Sequence, residues 1–153
     1  IGKSTLLKTL IGMIPKLAGE FHFPANTTVN YFEQDLQWEN PFQTPLQYLS
    51  DHFPKEPVKE LRKHLAKAGL PNQLAQEPLS TLSGGEQTKV KLCQMTMQKG
   101  NLLILDEPTN HIDQSTKDSL RESLANFAGT VIVVSHEEGF YQDWTDRVIE
   151  ISQ

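Results

Sequence analysis

The sequence predicts an α/β fold: a mainly parallel sheet packed by helices, with a small helical subdomain inserted into it. Three observations predict it. From about residue 85 onward the apolar pattern alternates between helical and strand spacing, with helices near 85–98 and 115–127 and strands at 102–106, 130–135 and 147–151. Such alternation argues for parallel strands joined by helical crossovers. At the other end, Gly2-Lys3-Ser4 runs straight into an apolar repeat of helical period, as a phosphate-cradling loop feeding a helix should. Between the two lies a stretch punctuated by Pro41, Pro45, Pro54, Pro57, Pro71 and Pro78, which suits short helices and not strands.

In chain order, Leu6, Leu7, Leu10, Ile11 and Ile14 set the first helix, with Pro15 expected to end it. Extended segments are expected at 19–23 and 28–32. The proline-rich stretch has room for helices near 45–52 and 58–68; in the second, Val58, Leu61, Leu65 and Ala68 share a face, while Lys59, Arg62, Lys63 and Lys67 read as a solvated surface. The chain is expected to form one domain, residues 1–153, with the helical subdomain occupying about 41–98.

The 153 residues are 37% hydrophobic and 22% charged, enough for one well-buried core. A net charge of -5 advertises no nucleic-acid surface. The longest apolar runs fall far short of the roughly 20 residues needed to cross a bilayer. With no leader visible and a single cysteine, Cys93, the expected location is the cytoplasm, without direct membrane insertion. Cys93 is spaced with Val90 and Met97 as a core thiol, and His22, His52 and His64 lack ligand-spaced partners.

The chemistry resides in three short stretches. Gly2-Lys3-Ser4-Thr5 is the back half of a G-x-x-x-x-G-K-[ST] loop; its first glycine would lie before Ile1, so upstream sequence is expected and an isolated fragment should be weakly active or inactive. Backbone N–H groups there face phosphate, Lys3 neutralises its outer oxygens and Ser4 offers a hydroxyl to Mg²⁺. LLILDEPTN at 102–110 is an apolar strand ending in two carboxylates. Asp106 suits the Mg²⁺ shell, and Glu107 suits a base that orients and deprotonates water. Adjacent acids at a buried strand end need a cation or partner. LSGGEQ at 82–87 opens another helix on Ser83, Gly84, Gly85 and Glu86, a second anion-cradling end with no lysine.

With GKST, LSGGEQ and ILDEPTN in this order, the chain resembles the ABC ATPases over nearly its whole length. The resemblance implies a P-loop NTPase core that binds ATP with Mg²⁺ and hydrolyses it to ADP and phosphate. Gln34 in YFEQ matches the family's Q-loop glutamine, which serves the Mg²⁺ and water site; His136 in VVSH matches the switch histidine; Asp113 in NHID matches the D-loop aspartate. Ser83 to Glu86 match the signature that closes over the nucleotide of a partner ATPase domain.

DEPTNHID resembles the F branch of that family, tandem ATPases without membrane spans whose members act on the ribosome as translation factors or antibiotic-resistance proteins. Their contacts with ribosomal and transfer RNA run through a linker outside this sequence. Glu137-Glu138-Gly139 departs from the branch's Asp-Arg-x. The competing reading is the ATP-binding subunit of an ABC membrane transporter. The interval between Gln34 and Ser83 is too short for the coiled coil of chromosome-maintenance relatives and holds no cysteine cluster for the zinc modules of DNA-repair relatives.

Overall fold

The computed structural model describes residues 2–33 and 35–152. At its centre a parallel sheet runs in the order β1 (Val29–Phe32), β2 (Leu102–Asp106), β3 (Thr130–Val134). Val29 lies opposite Leu102, and Leu102 opposite Thr130, so the register carries Asp106 to the sheet edge beside Val134. Every residue of β2 is buried, as expected for a continuous apolar run with helices on both faces. Its side chains divide by parity. Leu102 and Ile104 pack with Leu7 of α1 (Lys3–Leu10), whereas Leu103 and Leu105 pack with Leu92 and Met95 of α4 (Gly84–Met97) and Leu120 and Leu124 of α5 (Gln114–Ala125).

A second core gathers α2 (Pro45–His52), α3 (Val58–Lys67) and two 3₁₀ turns against α4, with Leu49, Leu61, Leu65, Leu79 and Val90 essentially solvent-free. Helix α2 begins on a reciprocal cap: Gln47 N–H donates to Thr44 Oγ1, and Thr44 N–H donates to Gln47 Oε1. Backbone bonds from Leu79 to Gln43 and from Ser80 to Pro41 close this unit at its base. The expected helical face of α3 holds at Leu61 and Leu65, but Val58, in the first turn, is 53% exposed.

Three expectations are corrected. Helix α1 stops at Leu10, not at Pro15, because Gly12 turns left-handed at φ 81 and the Met13 N–H closes back on the Lys8 carbonyl. Residues 19–23 form no strand; Phe21 stays half-exposed, and Pro24 has no N–H to offer a ladder. Residues 147–151 form no strand either. A groove of 380 Å³ separates them from β3, and without a hydrogen-bonding neighbour Val148, Ile149 and Ile151 remain exposed. The last helix, α6 (Glu138–Tyr141), is a single turn that buries Phe140 beneath α5.

Candidate active site

The ends of β2 and β3 and the start of α1 meet around one cavity of 340 Å³. Gly2, Lys3, Ser4 and Thr5 line it from α1, Asp106, Glu107 and Asn110 from the end of β2, and Val134, His136 and Glu137 from the end of β3. Parallel register brings this about, since it leaves all the strand C-termini on one side of the sheet.

Gly2 is the N-cap of α1 with φ 81, and no side chain caps the helix there. The first-turn N–H groups thus keep their donors for an anion, and the helix dipole points the same way. Lys8, two turns along, pairs with Glu33 at 3.1 Å, which ties α1 to the end of β1. Gln34, the next residue, lies outside the described residues.

Asp106 is 2% exposed, and its buried Oδ1 has no hydrogen-bond partner among the described residues. A desolvated carboxylate oxygen of that kind calls for a cation. Nearby, burial together with the negative charges of Asp106 and Glu33 pushes the Tyr31 phenol up to about 12. The orphaned Asp106 oxygen fits a bound Mg²⁺, which Asp106 and the Ser4 hydroxyl would hold.

Glu107 has the left-handed backbone that few residues other than glycine accept, at φ 49, and its N–H donates to the Val134 carbonyl at 2.9 Å. Strain of this kind, pinned by a hydrogen bond, is characteristic of functional positions. It delivers the carboxylate to His136, whose Nε2 lies 3.0 Å from Glu107 Oε1; the imidazole is 75% exposed and the carboxylate 13%.

Sequence reasoning left out the support behind His136. Glu137 accepts hydrogen bonds from Thr109 Oγ1 at 2.9 Å and from Lys117 Nζ at 2.8 Å and 3.0 Å. Lys117 first, then Thr109, hold its carboxyl below the ordinary glutamate range. In the sequence Glu137 stands out only as a departure from the motif, and nothing there marks Lys117 as its partner. Asn110, another lining residue, was visible only as part of ILDEPTN.

The structure does not bring Ser83, Gly84, Gly85 or Glu86 to this cavity. Ser83 Oγ accepts from the Glu86 N–H at 3.2 Å, and Glu86 Oε2 accepts from the Ser83 N–H at 2.8 Å, a reciprocal cap on α4. Asp113 caps α5 by accepting from the Thr116 N–H at 2.8 Å, and Lys89 of α4 donates to it at 3.1 Å. His111, at φ 65, lies on the turn between Glu107 and Asp113. Cys93 is buried, which pushes its thiol up to about 12, in keeping with a core role.

Residues 1–110 match the ABC transporter family. The chain belongs to that family. Among its relatives it is 41% identical to human ATP-binding cassette sub-family F member 3, over 91% of this chain and 20% of that protein. It is 38% identical to the Bacillus subtilis ABC transporter ATP-binding protein YfmM, over 97% of this chain and 30% of that one. The chain therefore spans less than a third of either relative. In fold it is similar to the dimeric post-hydrolysis state of an ATP-binding cassette bound to ADP and Pi, with a TM-score of 0.72 and 21% identity over 91% of this chain and 72% of that one. The α/β layers around these strand ends thus have the fold of an ABC-type domain. No helix among the described residues is long and apolar enough to cross a membrane.

Proposed function

We propose that this chain is one ATPase domain of a sub-family F ABC protein, hydrolysing ATP to ADP and phosphate with Mg²⁺ to open and close a clamp on the ribosome. The observation that carries the catalytic part is the convergence of Gly2–Thr5, Asp106–Glu107 and His136 on one cavity from three distant parts of the sequence. Lys3 and the first-turn N–H groups of α1 bind the phosphates. Ser4, Asp106 and Gln34 would hold Mg²⁺, which when bound would supply Lewis-acid charge at the phosphate oxygens. Glu107 takes the proton of the attacking water, and His136 sits against its carboxylate at 3.0 Å. Thr109 and Lys117, gripping Glu137, keep the His136 loop in place.

The F-branch part rests on Asn110-His111-Ile112-Asp113 and on the sub-family F name of the human relative. In this reading residues 41–98 are the helical subdomain of a single ABC domain, a second ATPase domain completes each site, and ribosomal and transfer RNA are met through other parts of the polypeptide. The name of the matched family favours the alternative, an ATP-binding subunit docked on a membrane permease. Sedimentation separates the two, because the first reading requires the full-length polypeptide to travel with ribosomes when ATP cannot be hydrolysed, and the second requires it to travel with membranes. For the chemistry, Glu107→Gln in the full-length polypeptide is expected to retain ATP binding and slow hydrolysis by about 10²-fold. Turnover near that of the parent would remove Glu107 from the role of base.

A further inference from the structure

A second cavity takes no part in the chemistry above. It measures 450 Å³, lies where the end of α3, the second half of α4 and the neighbouring face of α5 meet, and shares no lining residue with the nucleotide cavity. A volume of this size falls within the roughly 300–1,000 Å³ typical of small-molecule sites. Its lining has two characters. Leu92, Cys93, Met97, Leu120 and Phe127 supply an apolar surface, and Cys93, with its thiol pushed up to about 12, behaves there as an uncharged group. Lys67, Lys89 and Lys99 supply positive charge, and among the described residues no aspartate or glutamate lines the cavity.

That charge balance is unusual in a chain of net charge -5. Lys67 and Lys99 are exposed and form no ion pair among the described residues. Lys89 is held, with 11% of its side chain exposed, by the Gly69 carbonyl at 3.3 Å and Asp113 at 3.1 Å. Apolar walls lower the local dielectric and lengthen the reach of each ammonium, so the cavity favours a ligand with one anionic head and an apolar body. Lysine ammonium groups act as compact point charges, so a single small anionic head suits them, and a carboxylate is the head put to the test.

We propose that the cavity between α3, α4 and α5 is a second ligand site, distinct from the nucleotide site, that takes a small amphipathic carboxylate. The apolar body lies on Leu92, Met97 and Phe127, and the carboxylate faces Lys67 and Lys99. Titration calorimetry of decanoate into the full-length polypeptide, with decanol as the neutral control, tests this. Saturable decanoate binding is expected, unchanged by saturating ATP. It should be weaker by about tenfold or more for decanol, which lacks the charged head, and for the Lys67→Glu, Lys99→Glu double variant, which reverses both charges facing it. Ser123→Trp, which places an indole in the cavity from the half-exposed face of α5, should abolish it. The double variant changes only exposed side chains, so its fold, checked by thermal melting, provides a test even if the tryptophan variant fails to fold. Absence of saturable binding, displacement by ATP, or equal binding by the double variant would each overturn the proposal.

Discussion

At the scale of single residues, two carboxylates are held by lysines far away in sequence, and each pairing has a measurable consequence. Hydrogen bonding from Thr116 and then from Lys89 pulls the Asp113 carboxyl down to about 2. An unfolded aspartate titrates near 3.9, so the stability this group contributes is present above about pH 4 and is lost as pH falls through the folded value. Lys89→Met should therefore raise the Asp113 midpoint, read by carbon-detected NMR titration of its carboxylate; an unchanged midpoint would show that the Lys89 contact carries no weight in solution. On the other side of α5, Lys117 grips Glu137 directly behind His136. Lys117→Met should release that loop and lower kcat by about tenfold while leaving the KM for ATP near its parent value, because misplaced catalytic groups cost rate and not nucleotide contacts. A rise in KM alone would assign Lys117 to binding. Neither lysine could be paired from the sequence. Helical spacing shows that a charge is exposed but not which distant acid the fold brings beside it.

At the scale of elements, adjacent glycines at the start of α4 have opposite surroundings. A Cβ on Gly84 would meet open space, whereas one on Gly85 would lie 2.3 Å from the His111 carbonyl oxygen. That oxygen belongs to a backbone already strained at φ 65, so it cannot yield cheaply. Gly85→Ala should destabilise the domain by about 1–3 kcal/mol, the usual cost of overpacking. Gly84→Ala should be neutral, or stabilising by up to about 1 kcal/mol through helix propensity. Urea denaturation of the pair decides the matter, and equal effects would mean that α4 and the His111 turn do not touch as described. Most elements were legible in the sequence because their causes are local. The 3.6 period of α3 and α5 and the unbroken apolar run of β2 each carry their own signature. The stop of α1 at Gly12 was legible in principle, and only Pro15 drew attention from it. The fate of residues 147–151 was not legible, since whether an apolar run becomes a strand depends on a backbone neighbour that no local pattern reveals.

At the scale of the whole molecule, the two helix ends able to face phosphate have been separated. Gly2-Lys3-Ser4 opens into the cavity at the strand ends with its first-turn donors uncapped, while Ser83-Gly84-Gly85 does not line that cavity and its serine is occupied in capping α4. Their residue types were readable from the sequence. Their separation was implied there only by the family resemblance and not by spacing or composition, because it follows from how α4 packs across the sheet. A helix end that carries an open Gly84 yet lies off its own domain's site is suited to the nucleotide of another domain, which is the arrangement proposed above for a paired ATPase. Ser83→Arg places a long side chain where backbone must approach phosphate, and is expected to abolish hydrolysis at the partner's site while sparing ATP binding at Lys3. Ser83→Ala is the control: it removes the cap, at a cost of about 1 kcal/mol, without adding bulk, and should leave hydrolysis largely intact. The assay is a full-length polypeptide in which only one of the two sites retains its catalytic glutamate. If Ser83→Arg silences the site containing Lys3 and spares the other, each domain closes over its own nucleotide and the head-to-tail pairing does not hold for this protein.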